Sequence, residues 1–113
     1  MDTYSERKIL CGSSSYKKIY YFNPEFDSLP EEIRKELQIL CVLYTEEVGG
    51  ILRLEFDGSG ELLLTVESRE DDFLIDEIGS VLKIKEIQDE KKELLESLEM
   101  YYKVFFLEGS KSC

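Results

Sequence analysis

The side chains best suited to chemistry are carboxylates clustered over residues 70–77. Asp72 and Asp76 are four residues apart, so on a helix they share one face. Paired carboxylates can hold Mg²⁺ or Mn²⁺, which prefer oxygen ligands. Glu46 and Glu47 would complete such a site if their helix lies alongside. The alternative is favoured: acids in a first turn stabilise the helix dipole by about 0.3–1 kcal/mol each, and spacing alone does not establish converging ligands.

The chain contains no histidine, and this absence excludes several kinds of site. Histidine is the usual general base and a common metal ligand, because its unperturbed pKa lies near neutrality. Neither a Ser-His-Asp triad nor a histidine-ligated zinc or iron site can be built from this chain alone. We therefore predict no catalytic residues, and no cofactor beyond the Mg²⁺ or Mn²⁺ of the carboxylate hypothesis.

The three cysteines, Cys11, Cys41 and Cys113, form no CxxC pair, so the sequence encodes neither a zinc knuckle nor a thioredoxin-like site. Cys11 precedes a segment that reads as a loop, Gly12–Ser15, and without an activating histidine it is interpreted as an ordinary loop cysteine. Cys41 is predicted to lie in the core and Cys113 to be a terminal thiol. This cysteine usage predicts a reduced, cytoplasmic protein.

The formal net charge of −11 over 113 residues excludes two classes of partner. Nucleic acids and anionic membranes would repel the acidic surface, and no apolar run is long enough to cross a bilayer. The length predicts a single domain, 1–113, with a weakly patterned N-terminus (1–15) and a frayed tail (109–113). An acidic surface favours a basic protein partner, although most often it serves solubility alone.

The strongest helix signal begins near Ser28, which is spaced with Glu31 as a capping box, and ends at Gly49. Seven of the eight residues from Leu37 to Tyr44 are apolar. A helix that is apolar all round is buried on several sides, so this central helix is covered by the rest of the domain or by a second copy. A buried strand is the alternative for the same run, and the length and caps favour the helix.

A β-hairpin follows, with strands that alternate in polarity on either side of residues 57–60. A three-residue loop with Gly60 in the left-handed conformation gathers the leucines onto one face, because Leu54 then lies opposite Leu64. A two-residue loop would place Leu64 opposite Arg53. The β-prone run 17–22 is the candidate for a third strand.

Two helices are predicted for the C-terminal part. Ser68 would cap the first, and Gly79-Ser80 would break it. The second would carry an apolar face from Ile84 to Phe105, with Lys91 as the polar exception, and would end at Leu107-Glu108-Gly109. Most of the aromatic residues lie in two stretches, 16–26 and 101–106. We expect the two stretches to dock together, with a ligand groove or an interface as the alternative.

These patterns predict an α+β fold in which an antiparallel hairpin, three-stranded with the N-terminal segment, packs on a central helix and two C-terminal helices. The predicted function is a noncatalytic interaction module that self-associates as a homodimer through the apolar helix face or the last helix. The alternatives are a divalent-metal-binding protein or metal-dependent enzyme, and a small-ligand domain with an aromatic pocket.

The chain also resembles an uncharacterised family of short bacterial proteins that carry a domain of unknown function. The motifs that carry the resemblance, over nearly the whole chain, are Leu10-Cys11-Gly12, Tyr20-Tyr21-Phe22-Asn23, Leu29-Pro30, Thr45-Glu46-Glu47-Val48-Gly49-Gly50, Asp76-Glu77-Ile78 and Tyr101-Tyr102-Lys103-Val104. The resemblance implies a cytosolic bacterial protein without an assigned activity, so it supplies no catalytic residues.

Overall fold

The computed structural model describes residues 7–69 and 77–108 and has an α+β fold, as predicted. A short 3-10 helix precedes the first α-helix and a π-helical turn, Lys103–Glu108, ends the described chain. The strands and α-helices of this part are β1 (Lys8–Ser14), β2 (Ile19–Phe22), α1 (Glu31–Glu47), β3 (Ile51–Phe56), β4 (Leu62–Glu67), α2 (Glu77–Glu90) and α3 (Lys92–Tyr102).

The strands form one antiparallel sheet in the order β2-β1-β3-β4. The predicted register of the β3–β4 hairpin is confirmed, since Leu54 lies opposite Leu64. Gly60 has a φ of 93°, and the Asp57 amide donates to the Glu61 carbonyl, which closes the predicted three-residue loop. The apolar alternation therefore fixes which face of the hairpin meets the core.

The N-terminal part of the sheet differs from the prediction. Residues 12–14, interpreted from sequence as part of a loop, belong to β1, which lies between β2 and β3. Ser13 is tolerated there because its hydroxyl donates to the carbonyl of Cys41 at 2.8 Å and lies 3.1 Å from the Thr45 hydroxyl. The sheet consequently has four strands where three were predicted, and the predicted third strand pairs with β1 rather than with the hairpin.

Helix α1 packs its inner face on β1 and β3. The predicted capping box is absent: the N-cap position is Pro30 without a side-chain hydrogen bond, and the Ser28 hydroxyl instead pairs with that of Tyr101. The predicted end of the helix is confirmed, because Gly49 has a φ of 90° and its amide donates to the Thr45 carbonyl.

The two C-terminal helices are present, but the break between them is not where the sequence placed it. Helix α2 continues through Gly79-Ser80, and the chain leaves helical geometry at Lys91, with φ −107° and ψ 24°. Ser80, predicted to break the helix, is buried within it. The predicted first turn after Ser68, like the predicted tail 109–113, lies outside the described residues.

The expected docking of the two aromatic stretches is confirmed. Phe26, completely buried, has its ring 4.9 Å from that of Phe106 and 6.3 Å from that of Tyr102. Tyr102 in turn stacks on Phe56 at 4.2 Å, which links the aromatic cluster to the sheet. Within the part of the chain that the structure describes, no helix is long and apolar enough to cross a membrane.

Candidate functional site

Helix α1 has two apolar faces, and the described residues cover only one of them. Leu37 and Cys41 on the inner face are completely buried against the sheet. On the outer face, Ile39 is 58% exposed and Leu43 is 49% exposed. Their spacing of four residues places these two side chains next to each other on the surface. The outer face is therefore the part of the apolar helix that the sequence predicted to be covered by the rest of the domain or by a second copy.

Beside this face runs a groove between α1 and α2, with a volume of about 480 Å³. Its apolar lining consists of Ile39 and Leu43 together with the buried side chains of Leu40, Tyr44 and Ile87. Burial raises the pKa of Tyr44 above the ordinary 10.0 of a phenol, a group that is uncharged at neutral pH. The groove therefore offers a partner an apolar surface in which the Tyr44 hydroxyl is uncharged.

Two ion pairs along the groove join α1 to α2 and to Lys91, the residue that follows α2. The ammonium of Lys83 lies 3.1 Å from the Glu47 carboxylate, and that of Lys91 lies 3.0 Å from Glu36. The hydrogen bond to Glu47 raises the pKa of Lys83, with a smaller Coulombic contribution. Because Lys83 comes before Lys91 while Glu47 comes after Glu36, the two helices run antiparallel. The groove thus has charged residues along its rim and apolar residues between them.

The structure describes only two of the four predicted metal ligands, Glu46 and Glu47. Glu47 is engaged by Lys83, and both Glu46 and Glu47 line a second cleft of about 780 Å³, beside Ser13, Ser14 and Ser15. Asp72 and Asp76 lie outside the described residues. Residues 7–69 and 77–108 contain no group of three or more potential metal-ligating side chains. The Mg²⁺ or Mn²⁺ site stays a prediction, which a thermal-shift titration beside an Asp72→Ala/Asp76→Ala variant would test.

Behind the groove, on the inner side of α1, two free thiols meet. Cys11 lies in β1 rather than in the predicted loop, and its Sγ is 3.8 Å from the Sγ of Cys41. Both residues are completely buried, which confirms the core position predicted for Cys41. The hydrogen bond with Cys11, together with burial, raises the pKa of the Cys41 thiol far above its ordinary value. Cys113 lies outside the described residues.

The sequence predicted the apolar outer face of α1 but not the thiol pair. The exposed side chains of Ile39 and Leu43 belong to the apolar run from which a covering domain or second copy was predicted. The contact between Cys11 and Cys41 was missed because Cys11 was assigned to a loop. A strand at Lys8–Ser14 would have placed its side chain on the same sheet face as the buried leucines of β3.

The structure defines a small α+β domain with an exposed apolar helix face. A profile of a family of unknown function, DUF6145, matches residues 7–110. The chain belongs to this family, in agreement with the resemblance noted from its motifs. Neither a search of curated proteins nor a search of solved structures gave a significant match.

Proposed function

We propose that this protein is a noncatalytic interaction module that forms a symmetric homodimer through the outer face of α1. The observation that carries the proposal is the adjacent pair of exposed apolar side chains, Ile39 and Leu43, beside the apolar groove. Contiguous apolar surface of this kind, with a charged rim, is typical of an interaction site. We treat α1, rather than α3, as the interface because its exposed face adjoins a groove.

A second copy suits this face because the face is self-complementary. In a two-fold symmetric dimer the same surface is used on both copies, so two α1 helices cross antiparallel about one axis. An axis midway between Ile39 and Leu43 sets Ile39 against the partner's Leu43. The same axis sets Lys35 opposite the partner's Glu47 and Glu36 opposite the partner's Glu46. Apolar contacts at the centre are thereby flanked on each side by one pair of opposite charges and one pair of like charges.

The area available predicts a weak dimer. Complete burial of an Ile or Leu side chain contributes about 1.5–3 kcal/mol, and these side chains are already half buried in the monomer. Four such residues then contribute on the order of 4 kcal/mol, to which the groove adds. Because association itself costs several kcal/mol, we expect a dissociation constant in the micromolar range or weaker.

The proposal also includes a cytoplasmic location and a basic protein as a further partner. The odd number of cysteines, without a CxxC pair, supports a reducing cytoplasm. The net charge of −11 supports a basic protein, rather than nucleic acid or membrane, as any additional partner.

The test is sedimentation equilibrium over a wide range of protein concentration. We expect the mean mass to rise from that of one chain towards that of two. Ile39→Glu should abolish the rise, because it places a carboxylate at the centre of the interface, whereas α1 itself tolerates Glu at an exposed position. Leu82→Glu is the matched control, since Leu82 is 61% exposed on α2 and does not line the groove.

A charge reversal tests the orientation of the two helices. Lys35→Glu should weaken the dimer, and Lys35→Glu/Glu47→Lys should restore much of it because the opposite charges again meet across the axis. Circular dichroism melts verify that each variant remains folded. A wild-type chain that stays monomeric at every concentration, or equal effects of Ile39→Glu and Leu82→Glu, would overturn the proposal.

A further inference from the structure

We propose that Cys11 and Cys41 are a modification site at which an intramolecular disulfide forms, joining β1 to α1. The oxidant that we assign is a small-molecule disulfide, such as glutathione disulfide. The proposal concerns the inner face of α1 and does not depend on the dimer proposed for the outer face.

The contact between the two sulfur atoms carries the proposal. The Sγ atoms are 3.8 Å apart, in van der Waals contact, although the residues are 30 positions apart in the chain. A disulfide bond is about 2.05 Å long, so the sulfurs need to approach by less than 2 Å. Both thiols are free and face each other inside the core, where no other cysteine among the described residues lies.

The backbones that carry the two thiols are held together by neighbouring hydrogen bonds. Ser13, two residues after Cys11, donates its hydroxyl proton to the carbonyl oxygen of Cys41 at 2.8 Å. The Ser13 hydroxyl also lies 3.1 Å from that of Thr45, one helical turn further along α1. These bonds fix the height of α1 over β1, so the thiols meet in one defined arrangement rather than by chance fluctuation.

The oxidation is a two-step exchange. One cysteine, as its thiolate, attacks a sulfur of glutathione disulfide and releases one glutathione thiolate, which takes up the proton that the cysteine lost. The second cysteine thiolate then attacks the protein sulfur of the mixed disulfide and releases the other glutathione. Two protein thiols are oxidised to one disulfide, and one glutathione disulfide is reduced to two thiols, so atoms and electrons balance.

Burial determines the rate of this exchange. The raised pKa of the Cys41 thiol means that its thiolate is rare while α1 lies on the sheet. Attack therefore requires a transient opening of α1 from β1, and the folded protein should oxidise more slowly than the unfolded chain. Once formed, the disulfide links two residues that are 30 positions apart in the chain. It stabilises the fold because it reduces the conformational entropy of the unfolded chain.

The experiment uses the full chain with Cys113→Ser, which removes the third thiol and with it disulfide-linked dimers. Incubation with excess glutathione disulfide should give a monomeric product that has lost two hydrogen atoms. Trypsin cuts after Lys8, Lys17, Lys35 and Arg53, so the crosslink should appear as peptide 9–17 joined to peptide 36–53. The melting midpoint should rise by about 5 °C or more and return to its original value with dithiothreitol.

Two variants separate the crosslink from other effects of the oxidant. Cys11→Ala/Cys113→Ser and Cys41→Ala/Cys113→Ser should give no crosslinked peptide and no rise in the melting midpoint. The proposal is overturned if the parent protein forms only mixed disulfides with glutathione. It is equally overturned if the crosslinked product melts at a lower temperature than the dithiol, because the disulfide would then be incompatible with the fold.

Discussion

Truncation of Phe26 should be among the most destabilising substitutions in this protein. The side chain is completely buried, and its ring lies 4.9 Å from Phe106, 5.7 Å from Phe56, 6.3 Å from Tyr102 and 6.4 Å from Tyr101. It joins the N-terminal part of the chain to the sheet and to the C-terminal helix. Phe26→Ala would therefore remove the one ring that contacts all four of the others.

The magnitude follows from the rigidity of these neighbours. Phe→Ala in a core costs about 3–5 kcal/mol, and the cost is higher where the surroundings cannot close the cavity. Aromatic rings have few rotamers, so we expect about 4–5 kcal/mol for Phe26→Ala. Phe26→Leu retains most of the volume and should cost about 1–2 kcal/mol. Because small domains are stable by only about 5–15 kcal/mol, the alanine variant approaches the limit of folding.

The assay is urea unfolding followed by far-ultraviolet circular dichroism, since the chain has no tryptophan. Phe105→Ala is the matched control: its ring is 66% exposed and contacts Tyr101 alone among the described aromatic pairs. The control should lose less than about 1 kcal/mol. If Phe26→Ala lost no more stability than Phe105→Ala, the aromatic cluster would not be what unites the sheet and the C-terminal helices.

Two further substitutions test the sheet. Gly12→Ala should destabilise the fold by about 1–3 kcal/mol, because its Cβ would lie 2.7 Å from the backbone oxygen of Leu52; an unchanged urea midpoint would contradict this. Arg53 lowers the pKa of Glu67 through a bidentate hydrogen bond and through its positive charge. The pair therefore stabilises the fold at pH values above 4.5, the ordinary pKa of a glutamate. That stabilisation is lost as the pH falls through the lowered pKa of Glu67. Glu67→Gln should accordingly cost less than about 1 kcal/mol at neutral pH and nothing at low pH, and a difference that persists in acid would refute the assignment.

The hairpin shows how much of the fold follows from local pattern. The choice between a two-residue and a three-residue loop depended only on which register gathers the apolar side chains, and the structure has the three-residue loop with Gly60 at positive φ. A shift of one residue would have turned Leu64 towards Arg53, so the pattern carried enough information to decide.

The local pattern did not predict strand β1 or the helix break at Lys91. Lys91 leaves helical geometry without a glycine or proline to mark the break in the sequence, so the local pattern gave no signal there. Ser13 is polar by composition yet buried, because its hydroxyl bonds to α1, which is distant in sequence. The partner that makes Ser13 acceptable in β1 therefore comes from another element, and local propensities carry no information about it. The metal hypothesis involved the same difficulty, since convergence of ligands is a tertiary property.

Helix α1 explains how one segment can serve two separate roles. Ile39 and Leu43 point outward from the turns whose inward side carries Cys41, so the proposed interface and the thiol pair share a backbone but no side-chain surface. Glutamate at position 39 should therefore leave the crosslink intact, and loss of the thiol at position 41 should leave the dimer intact. Any coupling between the two faces would have to pass through movement of the whole helix on the sheet. The hydrogen bonds from Ser13 to the backbone of Cys41 and to Thr45 oppose that movement.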